Sequence, residues 1–189
     1  MVFGAILAGG VGSRMQGADM PKQFLPLGDK PIIIHTLEKF LTCSQFTCIY
    51  IGVHSDWMNY MEGLVEKYMP GAAGHVHVVC GGSDRNETIQ NIIGEIEKDH
   101  GEMEENIVVT HDAVRPFLTL RMIEENIAAA RQYGAVDTVA PAVDTIVVSD
   151  DGKIVADIPD RKRMYQGQTP QSFRISLLKK LYRSLTETE

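Results

Sequence analysis

Short apolar runs and longer apolar stripes alternate along this chain. The runs predict strands at Phe3–Leu7, Cys48–Val53, His75–Cys80, Asn106–Thr110 and Ala135–Ala140. Between them, apolar residues recur at helical spacing. Pro31 suits a first helical turn, after which Ile33, Leu37, Phe40 and Leu41 share one face. Ser55 is placed to cap a helix that buries Met58, Met61, Val65 and Tyr68, with the methionines as core filler. Asp84, with Glu87 three residues later, has the form of a capping box, and Ile89, Ile92, Ile93 and Ile96 follow it. Thr119–Tyr133 reads as a fourth helix and Ile175–Leu185 as a last one. Strands and helices in this order imply an α/β fold, a mostly parallel sheet with helices on both faces, in a single domain over residues 1–189. In such sheets ligands sit beyond the carboxyl ends of the strands.

Residues 142–168 break the rhythm. Thr145–Ser149 and Lys153–Ile158 read as two strands joined at Asp150-Asp151-Gly152, a good hairpin turn. With no helix in it, this stretch predicts a β-arm leaving the main sheet. A bare two-stranded arm is marginal and needs a surface to cover it. The expected cover is a second subunit, giving a homodimer; the alternative is an arm folded back on its own domain.

Charge narrows the partners. Lys and Arg number 18 against 25 Asp and Glu, a net charge of −7. That argues against nucleic acid, which needs a basic face, and means that any phosphate site must concentrate its cations locally. No run approaches the roughly 18 apolar residues of a membrane span, and the N-terminus lacks the pattern of a secretion signal. Cys43, Cys48 and Cys80 are odd in number and lack metal spacing, which fits a reduced, cytoplasmic setting.

Chemistry concentrates where strands end. After the first strand comes Leu7-Ala8-Gly9-Gly10-Val11-Gly12-Ser13-Arg14, and then Met20-Pro21-Lys22-Gln23-Phe24. Glycines let backbone N–H groups approach a phosphate, and Arg14 and Lys22 add charge that backbone dipoles cannot. A Walker A loop is absent, and Met15 stands where a dinucleotide fingerprint needs its third glycine. Taken alone, the stretch also fits a plain structural turn. Gly81-Gly82-Ser83-Asp84-Arg85-Asn86-Glu87-Thr88 joins a strand to a helix and offers hydroxyls and helix-terminal N–H groups to an anion or a base edge, although a capped turn needs the same residues. In His111-Asp112-Ala113-Val114-Arg115-Pro116-Phe117, Asp112 ends a strand and suits Mg²⁺, which takes one or two carboxylates plus phosphate oxygens. Its alternative is a turn or helix-cap aspartate. Arg115 suits a second phosphate, and His111 suits packing or a hydrogen bond better than a base. Asp160-Arg161-Lys162-Arg163 offers charge to a second phosphorylated substrate, or is a solvated charge run.

Leu-Ala-Gly-Gly-x-Gly-Ser-Arg, Pro-Lys-Gln-Phe, Gly-Gly-Ser-Asp-Arg-Asn-Glu, His-Asp-Ala-Val-Arg-Pro-Phe and Gln-Thr-Pro-Gln-Ser-Phe occur here in that order. Together they resemble the sugar-alcohol-phosphate cytidylyltransferases, a family that acts on methylerythritol 4-phosphate or ribitol 5-phosphate. The resemblance runs over essentially the whole chain. Met20–Phe24 and the tract from Met164 to Gln171 look more like the ribitol-phosphate branch. The resemblance implies a Rossmann-like nucleotidyltransferase fold with a protruding β-arm, a divalent cation such as Mg²⁺ as cofactor, and CTP and a polyol phosphate as substrates. By position, Leu7, Ala8, Gly9, Gly10 and Gly12 would contact CTP. Gly82, Ser83, Asp84, Arg85, Asn86, Glu87 and Thr88 would line its cytosine side. Arg14 and Lys22 would stabilise charge on the α-phosphate and pyrophosphate, and Asp112 would hold the metal. Arg115, Thr145, Arg161 and Thr169 would position the polyol phosphate, some of them across a dimer. Family members carry a further lysine in an Asn-Ile-Lys-Val-Thr-Thr-Pro-type segment, which is not found in residues 1–189. Without that lysine, the same pattern also fits a CTP-binding protein that does not turn over.

Overall fold

The computed structural model describes residues 1–10 and 20–186. The first strand, β1 (Val2–Ala8), is flanked in parallel by β4 (Cys48–Val53) and β6 (Ile107–Asp112), and β5 (Val76–Cys80) pairs in parallel with β4. The short strands β2 (Pro26–Leu27) and β3 (Lys30–Pro31) form a separate antiparallel pair ahead of α1 (Ile32–Leu41). The remaining helices are α2 (Met58–Tyr68), α3 (Arg85–His100), α4 (Leu120–Tyr133) and α5 (Ile175–Thr186).

The apolar stripes decide which face each helix covers. Ile33, Leu37 and Phe40 of α1, Met61 of α2 and Ile123 and Ile127 of α4 are buried with Ile6, Ile51 and Val109 on one side of the sheet. Ile89, Ile92 and Ile96 of α3 and Ile175 and Leu178 of α5 are buried with Phe3, Ala5, Tyr50 and Val108 on the other. This is the doubly covered sheet expected from the alternation. The close seat of α3 depends on Gly52 in β4, where a Cβ would stand 2.5 Å from Thr88 Cγ2. Ahead of α2, Ser55 is not the cap: Ser55–Trp57 form a short 3₁₀ turn, and the His54 side chain accepts the Asp56 N–H instead.

The sheet departs from expectation on its other side. Its order is β5-β4-β1-β6-β8-β7, where β7 is Ala135–Pro141 and β8 is Tyr165–Arg174. Residues 165–168, expected to belong to the arm, instead open a ten-residue strand, β8, inserted antiparallel between β6 and β7. The hairpin expected within 142–168 is looser than predicted. A single bridge joins Val148 and Asp157, and the turn is held by side chains, with Asp151 Oδ1 accepting the N–H groups of Lys153 and Ile154.

Candidate functional site

At the carboxyl ends of β1 and β6 a cleft of about 340 Å³ opens. Its floor is Leu7–Gly10, one wall is Gly82–Arg85 with Thr88, the other is Asp112–Val114, and Lys22 and Gln23 close the near side. Three segments far apart in sequence therefore converge, as the order of motifs required. Gly12 and Arg14 lie outside the described residues.

Lys22 is exposed on a short 3₁₀ turn, Lys22–Phe24. Gln23 fixes that turn to the floor. It is buried, and its amide donates to Ala8 O at 2.7 Å and Gly10 O at 3.1 Å. Phe24 adds apolar anchorage, with its ring 5.2 Å from Trp57 and 5.1 Å from Tyr60. From sequence alone Gln23 had a place in its motif and no role; its position between a cation and an apolar anchor was the available signal.

The wall at 82–88 is built by its own side chains. Asp84 caps α3 by accepting the Glu87 N–H at 2.8 Å. Glu87 does not return to the Asp84 N–H as a capping box would. Its carboxylate accepts the Ser83 N–H at 2.7 Å and hydroxyl at 2.6 Å, and these bonds hold it below the usual carboxylate range. Thr88 donates to Asp84 O at 2.8 Å and accepts from Gly82 N at 3.0 Å. The Ser83 and Thr88 hydroxyls are thus engaged within the loop. Asn86 and Glu87 do not line the cleft, and Asn86 accepts from Tyr182 of α5 at 3.5 Å.

Asp112 stands between two arginines. Arg115 Nε donates to its Oδ2 at 2.9 Å, while Arg85 Nε lies 3.8 Å from Oδ1. Asp112 N–H points at the Thr169 hydroxyl at 3.4 Å, so Arg115 and Thr169 are brought beside Asp112. Arg85 sits at this acidic end, beside Asp112. Gln168, which bonds Arg115, and Gln171, which bonds Arg85, were not singled out from the sequence. His111 is buried, Nε2 meets Arg115 O at 3.0 Å while Nδ1 has no partner among the described residues, and burial pushes its pKa down, so it is neutral. Thr145 and Arg161 are not brought to this cleft within one chain. Thr145 is exposed on the arm, and Arg161 donates to Val143 O at 3.1 Å.

A single cleft with exposed Lys22 and Arg85, a floor ending in two glycines and two carboxylates, of which Asp84 is engaged as the α3 cap, is suited to a polyphosphate. The profile of the IspD family, 2-C-methyl-D-erythritol 4-phosphate cytidylyltransferase, matches residues 2–188. The chain belongs to the IspD family. Its architecture is that of the family's solved structures. One of these, described as 4-diphosphocytidyl-2C-methyl-D-erythritol synthase from Anaerococcus prevotii DSM 20548, aligns with a TM-score of 0.80 at 25% identity, over 100% of this chain and 77% of that one. The 2-C-methyl-D-erythritol 4-phosphate cytidylyltransferase of Francisella tularensis shares the fold at 0.74 and 22% identity, over 99% and 80%. That of Thermus thermophilus does so at 0.73 and 21%, over 100% and 78%. As an IspD-family member the chain is a cytidylyltransferase, a nucleotidyltransferase enzyme. Among its described residues, no helix is long and apolar enough to cross a membrane.

Proposed function

We propose that this chain transfers the cytidylyl group of CTP to the phosphate of a short polyol phosphate and releases pyrophosphate. The observation that carries this reading is the joining of the glycine floor, Lys22, Arg85 and Asp112 in one cleft. A phosphate monoester, with its second pKa near 6, is largely dianionic at neutral pH and attacks the α-phosphorus without a base. The Pα–O bond to the β-phosphate breaks, and pyrophosphate leaves. The protein's work is alignment and charge stabilisation. Lys22 and Arg14 stabilise charge on the α-phosphate and pyrophosphate. The floor Leu7–Gly10 with Gly12 and the wall Gly82–Arg85 with Thr88 hold the nucleotide. Arg115 and Thr169 hold the acceptor phosphate, joined by Thr145 and Arg161 of a partner's arm.

Asp112 suits a divalent cation. It faces the cleft with its side chain 30% exposed, and one carboxylate plus phosphate oxygens is a normal Mg²⁺ set. Among the described residues no group of three or more His, Cys, Asp or Glu gathers, and phosphate oxygens of the nucleotide would join Asp112 in holding the cation. When bound, the cation supplies positive charge to the phosphate oxygens.

The family match and the solved relatives favour 2-C-methyl-D-erythritol 4-phosphate as acceptor. A second reading, ribitol 5-phosphate, rests on the wording of Met20–Phe24 and of the tract from Met164 to Gln171. Pyrophosphate release from CTP, measured with each acceptor and with both in competition, decides between them. CTP binding without release for either acceptor would sink the transferase reading for this chain.

A further inference from the structure

Gln171 lies in the middle of β8, opposite Thr110 of β6 and Asp137 of β7. Its amide oxygen accepts from Arg85 at 2.8 Å, and its amide nitrogen donates to Asp137 Oδ1 at 3.0 Å. The partners fix the orientation of the amide: arginine has only donors and aspartate only acceptors, so a flipped amide would lose both bonds. The consequence appears at the next link. Arg115 closes fully on Asp112, whereas Arg85 Nε stops at 3.8 Å from Oδ1, outside hydrogen-bond range. An exposed arginine with a carboxylate this near and nothing on its far side would close onto it. Gln171 supplies the far side.

We propose that Gln171 is a positioning residue that, braced by Asp137, holds Arg85 beside Asp112 without letting the loose ion pair close into a hydrogen-bonded one. Arg85 then keeps its charge for phosphate, and Oδ1 of Asp112 stays accessible. This rests on the reading that the cleft takes the phosphates of CTP. It assigns Arg85 to the phosphate end of the nucleotide and gives the inserted strand β8 a part in binding it.

The test exchanges the two side chains' chemistry. In Gln171→Glu the new carboxylate still accepts from Arg85 but faces the carboxylate of Asp137. Adding Asp137→Asn restores a donor to it and returns the total charge to its original value. Binding of CTP in the presence of Mg²⁺ is measured by calorimetry, with thermal unfolding as a check on the fold. Gln171→Leu is expected to weaken binding about tenfold, the worth of one hydrogen bond to a charged group. Gln171→Glu is expected to weaken it as well, and the double variant to recover to within about twofold of the parent. Parent-like binding by Gln171→Leu, or a double variant no better than Gln171→Glu, overturns the assignment while leaving the transferase reading intact. A parent chain that does not bind CTP overturns both.

Discussion

Gln23 places its amide on the carbonyls of Ala8 and Gly10, and Phe24 packs against Trp57 and Tyr60, so Lys22 projects from a turn anchored on both sides. Charge and anchorage can therefore be separated by mutation. Lys22→Ala removes an exposed cation and no packing. It is expected to lower pyrophosphate release by about 10²–10³, by analogy with other electrostatic stabilisers, and to leave the melting temperature unchanged. Gln23→Leu does the reverse. It leaves two carbonyls short of a donor, and a loss of about 1–3 kcal/mol is expected in denaturant unfolding. An unaltered midpoint would contradict the clamp. His111 makes a third prediction, in pH. Burial lowers its pKa below 6.5, so the unfolded chain binds a proton that the folded chain refuses. Stability is then complete above that value and falls as pH drops below it. Melting temperature should fall less between pH 7.5 and 5.5 in His111→Gln than in the parent; equal falls would show that His111 does not carry the effect.

The strand–loop–helix joint at 80–88 shows how an element's end becomes a wall. Asp84 caps α3, and Glu87 turns outward to Ser83 because a Cβ-free Gly82 leaves room for its side chain. Asp84→Ala is expected to cost about 1 kcal/mol, the usual worth of an N-cap, read from the unfolding midpoint. Such joints were readable in the sequence because cap, glycine and apolar stripe lie within a few residues of one another. The runs at Cys48–Val53 and Thr119–Tyr133 were readable for the same reason, and the structure has a strand at the first and, after Thr119 as cap, a helix through the second. Strand β8 was not. Tyr-Gln-Gly-Gln-Thr-Pro-Gln-Ser-Phe-Arg carries little apolar signal, and it becomes a strand because β6 and β7 both offer it an edge. Gln168 and Gln171 stood in a quoted motif without a role of their own. Their partners are 53 and 86 residues away, and a lone glutamine says nothing of such distances. Lys22, Asp112 and the glycines announced themselves by residue type and by their place after strands.

At the scale of the whole molecule, the arm is the part that a single chain does not account for. Val143, Ile154 and Ile158 are 76%, 71% and 60% exposed, and between β7 and β8 the arm has the single bridge Val148–Asp157. Apolar side chains in that number on so little secondary structure call for a covering surface. Thr145 and Arg161 ride on the same segment, away from the cleft of their own chain. Both facts support a homodimer in which each arm lies on the other subunit and brings these two residues to its acceptor site. Ile154→Glu combined with Ile158→Glu is expected to shift the sedimenting species to monomer without changing the chain's own secondary structure. Turnover per chain should fall with it, and should also fall when the parent is diluted through its dissociation range. Arg161→Ala, which removes charge and leaves the apolar contacts, should raise KM for the polyol phosphate while the dimer persists. A parent that sediments as a monomer at full turnover would overturn the shared site and return the arm to its own domain.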